Sequence, residues 1–217
     1  LWSLPLVCQL FYRLNRGFPS AWPPALEFRE FRVSGTDMAT TSWRARGVTD
    51  QRLSKFAGFR FSSVNLSRTP ITNASIQTVQ SFAVELTSLN ISGCCNLVVD
   101  AALSALNISH LRSLDVSSCV YMSDKALKVL ASASNLTSLN INNCAKISSV
   151  GLGYLVDLPL RSVDLENCTR VDDPGLSALS LISSLSWLDL SSCARITDAG
   201  MEHIAGLPML RHLDLSG

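Results

Sequence analysis

The amino-acid sequence predicts an α/β solenoid, in which a curved parallel β-sheet lies inside and helices lie outside. The main observation is a nine-residue pattern with apolar residues at its first, fourth and sixth positions and a cysteine at its ninth. The pattern begins at residues 86, 111, 136, 160 and 185, with a weaker copy at 61 and an incomplete one at 210. Copies in register at steps of 24 or 25 residues indicate a stack of about six to seven repeats.

Each repeat changes its periodicity halfway along. Leu114 and Val116 alternate with polar neighbours, which is typical of a short strand with one buried face. Residues 196–204 instead show helical spacing, with Thr197 as the expected N-cap and Asp198 where the helix dipole favours an acid. A single strand and helix cannot bury an apolar face alone, so successive units are expected to stack on each other.

Composition indicates a folded chain with little net charge. The 217 residues include 18 Lys and Arg against 17 Asp and Glu, for a net charge of +1. This balance predicts neither nucleic-acid binding nor attraction to an anionic membrane surface. Hydrophobic residues make up 47% of the chain and charged residues 16%, so the chain can bury a core. No apolar run reaches the roughly 18 residues that a membrane-spanning helix needs.

The N-terminal part of the chain departs from the pattern. Residues 28–36 fit the strand template, so residues 28–60 are predicted to be a degenerate first repeat. This copy is longer than the others, and we interpret the excess, which contains Trp43, as an inserted loop that projects after the strand. Residues 1–27 are predicted to be a separate helical segment, and residues 61–217 hold the regular repeats.

Five of the seven cysteines share one repeat position, which predicts a column of small buried thiols. They are Cys94, Cys119, Cys144, Cys168 and Cys193. Neighbouring members are a whole repeat apart, so they do not converge as metal ligands do. The histidines at 110, 203 and 212 lack the spacing of a Cys-His nucleophile, and we expect them on the surface. We therefore expect no metal, no cofactor and no enzymatic activity.

The same cysteines bear on the cellular compartment. Unpaired repeat cysteines favour a reducing environment, so we expect a cytoplasmic or nuclear protein. Six N-x-[ST] triplets favour the opposite interpretation, a secreted protein that carries glycans. Two of these triplets, at Asn65 and Asn90, lie within predicted inner strands, where a glycan would not fit.

The complete pattern resembles a known class of repeats. Residues 185–201 read LxxLxLxxC and continue into an Ile-Thr-Asp-x-Gly-Met helix start. This combination is similar to the cysteine-containing leucine-rich-repeat family, and the similarity extends over about residues 59–217. The resemblance implies a leucine-rich-repeat solenoid of the α/β class, with a surface suited to binding another protein.

A second resemblance concerns the N-terminal segment. Residues 6–14 read LVCQLFYRL and are followed by Trp22, which is similar to the second half of an F-box. The order of an F-box before cysteine-containing repeats is also that family's order, although the Leu-Pro start of an F-box is missing here. The resemblance implies that this segment contacts a ubiquitin-ligase adaptor through Val7, Leu10, Phe11 and Leu14. The alternative is a plain helix that caps the open end of the solenoid.

The outward residues of the parallel strands are predicted to form a concave face. Its third column reads serine in five successive repeats, from Ser63 to Ser162, and then Trp187 and His212. Because Trp is enriched in binding hot spots, we predict a partner-binding surface there. The charged residues of this surface are Asp164, Glu166, Asp189 and Asp214, with Arg161 and Arg211 at the rim. Two alternatives stay open: Trp187 folds over a neighbouring side chain, and the fifth-column acids form only a solvated polar ladder.

The sequence therefore favours a protein–protein interaction module. The leading hypothesis, which the F-box resemblance implies, is the substrate-recognition subunit of an F-box-type ubiquitin ligase. The alternative is a non-catalytic scaffold or assembly subunit of a larger complex. A fragment of an extracellular receptor would require a signal peptide and glycosylated asparagines.

Both ends of the sequence suggest a longer natural protein. The first residue is Leu1 rather than Met, and residues 210–217 begin a repeat without supplying its helix. The exposed end of a solenoid needs a polar cap. We therefore expect the natural protein to begin upstream of Leu1 and to continue past Gly217.

Overall fold

The repeats stack into one sheet with helices along one side of it. A computed structural model of the chain describes residues 31–34, 42–45, 49–53, 61–83 and 85–217. Within these residues, nine strands pair in chain order: β1 (Phe31–Ser34), β2 (Ser42–Ala45), β3 (Ser63–Asn65), β4 (Ser88–Asn90), β5 (Ser113–Asp115), β6 (Ser138–Asn140), β7 (Ser162–Asp164), β8 (Trp187–Asp189) and β9 (His212–Asp214). Strands β2 to β9 run parallel, and β1 pairs antiparallel with β2.

A helix follows each strand from β2 to β8. The helices are α1 (Asp50–Leu53), α2 (Ile76–Phe82), α3 (Val99–Ala105), α4 (Asp124–Leu130), α5 (Ser149–Leu152), α6 (Asp173–Leu179) and α7 (Asp198–Ile204). Short 3₁₀ turns at Asn73–Ser75 and Gly153–Leu155 adjoin α2 and α5. The predicted α/β solenoid is confirmed, because each unit is one strand and one helix and the units form an open parallel sheet.

Strand β2 corrects our interpretation of the inserted segment. That segment is not simply a projecting loop, because residues 42–45 join the sheet, with Ser42 opposite Ser63 of β3. The strand that the template places in the first repeat, β1, pairs antiparallel with β2 instead. The physical reason is that the edge of β3 carries unpaired backbone groups, which a parallel strand satisfies whatever its side chains are. The nine-residue template follows apolar positions and therefore missed β2.

The core lies between the sheet and the helices. In each strand from β3 to β8 the middle residue is buried, while the residues on either side of it are half-buried. The buried middle residues are Val64, Leu89, Leu114, Leu139, Val163 and Leu188. This alternation confirms the strand register predicted from the sequence, and it places the neighbouring polar side chains on the outer surface of the sheet.

The five repeat cysteines are buried and free, as predicted. Each thiol donates a hydrogen bond to a backbone carbonyl of the preceding repeat, over Sγ–O distances of 3.1–3.4 Å. Burial raises the pKa of the Cys119 and Cys168 thiols to about 12 and that of Cys144 to about 11. At neutral pH these side chains are therefore protonated and poorly reactive. Cys95, which adjoins the column, is exposed.

A second column of hydrogen bonds joins the repeats where their helices begin. The Asp124 carboxylate accepts the backbone N–H of Ser148 at 2.9 Å and its hydroxyl at 2.6 Å. The same arrangement recurs in three other pairs of repeats, namely Asp50 with Thr72, Asp100 with Ser123, and Asp173 with Thr197. An acid at one helix start thus fixes the N-cap residue, which directly precedes the next helix.

Two details modify the expected helix caps. Thr197 is at the N-cap position of α7, but its hydroxyl donates to Asp173 of the preceding repeat and makes no capping hydrogen bond. Between α5 and α6 the roles of the two partners are exchanged, because Ser149 replaces the acid and Asp172 replaces the hydroxyl. The pair is therefore kept although both residue types differ.

In α5, α6 and α7 the glycine two residues after the helix start has a packing reason. A Cβ on Gly151 would lie 2.7 Å from Asp124 Cγ and 2.9 Å from Leu127 Cδ1. Gly200 has the same relation to Asp173, and Gly175 to Ser149. In each case the side chain from the preceding repeat that hydrogen-bonds the start of this helix also occupies the space that a residue larger than glycine would need.

Replacing Cys144 with Ser tests the buried column. The hydroxyl has a stronger need for hydrogen bonds than the thiol, and we expect a loss of unfolding free energy of roughly 1–3 kcal/mol. Urea denaturation measures this loss, with Cys95→Ser as the matched surface control, which we expect to change little. In the native wild type, a thiol reagent should label Cys95 quickly and Cys119, Cys144 and Cys168 slowly. Fast labelling of the latter three would contradict their burial.

Gly151 and Gly153 offer a matched test of the close contact with Asp124. Gly151→Ala should destabilise the fold by roughly 1–3 kcal/mol, since overpacking moves a side chain or the backbone. Gly153 has a helical backbone with φ −58°, and apart from its chain neighbours and its own helix no atom lies within 4 Å of a Cβ built on it. Gly153→Ala should therefore be neutral or stabilising by about 0.5–1 kcal/mol. Equal melting temperatures for the two variants would show that the contact is unimportant.

Candidate functional site

Parallel pairing stacks equivalent residues into columns on the concave side of the sheet. The pairs Ser88–Ser113, Ser113–Ser138 and Ser138–Ser162 are in direct register. The column continues through Trp187 to His212. The predicted third column is therefore present, and its side chains change from small hydroxyls to aromatic rings at one end of the sheet.

Trp187 and His212 form a stacked pair. Their ring centroids are 5.2 Å apart and the rings are inclined by only 4°. Trp187 is half-buried and His212 is exposed, whereas Leu188 behind Trp187 is fully buried. Trp187 thus lies outside the core, as predicted, and it also lies against a neighbouring side chain, as the alternative interpretation expected. The pair presents a continuous aromatic surface. His110 and His203 are also exposed, in agreement with the prediction.

The fifth column has a structural role that the sequence pattern did not reveal. In each repeat its Asp or Asn Oδ1 accepts the backbone N–H of the residue two positions later, over 2.8–3.1 Å. The residues are Asn65, Asn90, Asp115, Asn140, Asp164, Asp189 and Asp214. These Asx turns end each strand, and they explain why only Asp and Asn occur at this position. The acids of this column therefore shape the backbone as well as charging the surface.

Three acids lie together beside the aromatic pair. Asp164 and Asp189 are direct neighbours across β7 and β8, and Glu166 follows Asp164 by two residues. Partial burial raises the pKa of Asp164, and the adjacent charges of Asp189 and Glu166 raise it further. Asn142 Nδ2 donates a hydrogen bond to Glu166 Oε2. A cationic group placed here would relieve the repulsion among the three carboxylates.

Asp214 has a different environment from Asp164. Hydrogen bonds from the Ser216 backbone N–H and hydroxyl lower the pKa of Asp214, and His212 lowers it further. The predicted acids are thus brought to one end of the sheet, but their pKa values are shifted in opposite directions, upward for Asp164 and downward for Asp214. Asp164 binds a proton more readily than Asp214 as the pH falls.

A groove flanks the aromatic pair at the start of the strands. It has a volume of about 260 Å³ and is lined by Arg161, Ser184, Ser186, Met209 and Arg211. The Arg161 carbonyl accepts the backbone N–H groups of Ser186 and Trp187 at 2.8 and 2.9 Å. The groove therefore adjoins the aromatic pair through the backbone. The sequence placed both arginines at the rim but did not predict the space between them.

The remaining predictions from the sequence concern the N-terminal segment, metal binding and the membrane. Val7, Leu10, Phe11 and Leu14, the predicted adaptor contacts, lie outside the described residues. In the part of the chain that the structure describes, no group of three or more His, Cys, Asp or Glu side chains is placed to hold a metal ion. Among the same residues, no helix has the length and apolar composition to cross a membrane.

The regular repeats match a known family at the level of sequence. A family model described as Leucine Rich repeat matches residues 107–131, 132–156, 158–180 and 183–205. No curated protein matches the chain.

Several solved structures resemble this chain over about three quarters or more of its length. An internalin C2 from Listeria monocytogenes is 20% identical with a TM-score of 0.56, over 82% of this chain and 80% of that one. A chain of the yeast Rad7–Elc1 complex is 18% identical with a TM-score of 0.52, over 76% and 52%. A chain of the TLR13–ssRNA13 complex is 22% identical with a TM-score of 0.54, over 74% and 23%.

The chain thus spans about half the length of its match in the Rad7–Elc1 complex and about a quarter of its match in the TLR13 complex. At such identities the likeness concerns the fold and carries no partner from those proteins to this one. The family match and the parallel stack agree with each other. Leucine-rich repeats are present within residues 107–205, and the chain folds as a leucine-rich-repeat solenoid.

Proposed function

We propose that this chain is a non-catalytic protein-recognition module whose partner binds the concave face around Trp187 and His212. The observation that carries the proposal is the stacked pair of rings on a sheet face that five preceding repeats line with serine. Large aromatic residues contribute most of the binding energy in many protein interfaces, and small residues around them leave room for a partner.

The charges near the pair support the same location. Burial raises the pKa of Asp164, and the nearby charges of Asp189 and Glu166 raise it further. Such a cluster of acids favours a partner that brings a positive charge. The Asx turns hold Asp164 and Asp189 through Oδ1, so these two carboxylates are presented in a fixed orientation. A rigid, charged surface beside an aromatic one suits specific recognition.

Trp187→Ala tests this proposal. Loss of the ring stack should lower the unfolding free energy by only about 0.5–1 kcal/mol. Binding of the partner should weaken by at least about 2 kcal/mol, near thirtyfold in Kd. The partner is first captured with a photo-crosslinking residue at His212, then purified, and its Kd is measured by calorimetry.

The matched control is Tyr121→Ala, an exposed aromatic residue on the turn between β5 and α4, whose ring contacts Lys146 Nζ at 5.2 Å. We expect this variant to bind normally, and a crosslinker at Tyr121 should not capture the same partner. If Trp187→Ala unfolds the protein, Trp187 belongs to the core. If Trp187→Ala changes neither stability nor binding, the functional surface lies elsewhere.

For the assembly in which the module works, we propose an F-box-type ubiquitin ligase, with this chain as its substrate-recognition subunit. The support is the F-box-like sequence at residues 6–14, its following Trp22, and the position of both before the repeats. In this proposal the N-terminal segment docks on the ligase adaptor and the repeats hold the substrate near the catalytic subunit. The second candidate is a scaffold subunit without a ubiquitin role, in which the apolar N-terminal segment is a helix that caps the end of the solenoid.

Adaptor binding separates the two candidates. Val7, Leu10, Phe11 and Leu14 would share one face of a helix. In the natural full-length protein, Phe11→Ala with Leu14→Ala should abolish co-precipitation with the ligase adaptor. Gln9→Ala, on the opposite face of that helix, should not. Failure of the full-length wild type to bind the adaptor would favour the scaffold.

A further inference from the structure

The rim of the concave face alternates between long cations and short hydroxyls. The residues that directly precede β5 to β9 are Arg112, Thr137, Arg161, Ser186 and Arg211. The Thr137 and Ser186 hydroxyls each donate to the carbonyl of the preceding arginine, at 3.0 Å in both cases. The short side chains therefore turn back to the backbone and leave gaps between the arginines.

The gap over Ser186 is the groove described above. Its two guanidinium groups, from Arg161 and Arg211, are exposed, and neither forms an ion pair with an acid in the described part of the chain. The ion pair found within these residues joins Arg195 to Asp172 instead. Two cations without a carboxylate, on either side of a small cavity, favour an anionic occupant.

Three chemically different zones follow one another along the strands here. Ser186 and Arg211 mark the groove, the next residues are the Trp187–His212 pair, and the acids begin two residues further on. At a rise of about 3.3 Å per residue, the rim and the fifth column are separated by about 10 Å. In the described part of the chain no ion pair joins Arg161 or Arg211 to these acids, so both sets of charges stay available to a partner.

We propose that the occupant is an extended segment of a partner protein in which an acidic, an apolar and a basic side chain follow one another. The carboxylate lies between Arg161 and Arg211, the apolar or aromatic side chain lies on the Trp187–His212 rings, and the cation reaches Asp164 and Asp189. This inference rests on the proposed function and specifies the partner's chemistry at that site. A uniformly acidic or basic segment is attracted by one side of this surface and repelled by the other.

A peptide selection tests the proposal without knowledge of the natural partner. A phage-displayed library of random dodecapeptides is panned on the full chain, after depletion on Trp187→Ala. We expect the enriched sequences to carry an acid and a Lys or Arg about two to four positions apart, with an apolar residue between them. Enrichment of peptides that bind through Trp187 but share no such order would overturn the inference.

Synthetic peptides from the selection then test each contact. Replacing the peptide acid with Gln should weaken binding to the wild type about fivefold, and should have no effect on a chain carrying Arg161→Gln and Arg211→Gln. Asp189→Asn keeps the Asx acceptor but removes the charge. Replacing the peptide cation with an uncharged residue should therefore weaken binding to the wild type and lose this effect on the Asp189→Asn chain. Arg112→Gln, two repeats away from Arg161 on the same rim, is the control and should leave the affinity unchanged.

The two hypotheses fail in different ways. If the peptide acid and the Arg161–Arg211 pair act independently, the inference is wrong, while the Trp187 surface can still bind its partner. If the selection yields no Trp187-dependent peptide, the inference is also contradicted. The capture experiment with the His212 crosslinker decides the proposed function separately.

Discussion

Direct register between neighbouring parallel strands is the constraint on which the rest of this molecule depends. Ser88 pairs with Ser113, Ser113 with Ser138, and so on to His212, so each residue has its equivalent as its nearest neighbour. A residue type that recurs at one repeat position therefore lies next to its own kind in the neighbouring repeat, and this contact must be favourable or at least tolerated. Buried thiols meet this condition because each one bonds to the backbone of the preceding repeat. The fifth-column acids meet it less well, since the charge of Asp189 adds to burial in raising the pKa of Asp164.

The features that the sequence predicted are those that depend on period alone. The strand register, the buried Cys144 column and the outward direction of Trp187 all follow from counting positions, because parallel strands keep equivalent residues together. Candidate residues on the concave face were brought to one end of the sheet for the same reason. Periodicity was sufficient here because the regular repeats differ in length by no more than one residue.

The features that were missed depend on particular partners in space. Strand β2 lies in a segment whose residues do not follow the template, so only its backbone pairing reveals it. Thr197 looked like a simple helix cap, but its acceptor, Asp173, lies 24 residues earlier in the chain. The groove between Arg161 and Arg211 includes Ser186, whose hydroxyl donates to the Arg161 carbonyl of the preceding repeat. In each case a backbone group or side chain has more than one possible partner. The pattern of residue types does not determine which partner it contacts.

The exchanged pair of Ser149 and Asp172 has a consequence for how such an array can gain or lose units. A genetic duplication or deletion with breakpoints after Ser148 and after Asp172 carries both partners together and leaves every neighbouring pair intact. Breakpoints at the strand starts would instead set Asp173 against a second Asp172 or Ser149 against Thr197. The unit that can be copied safely therefore begins at the first residue of a helix, half a repeat away from the unit that the leucine pattern suggests.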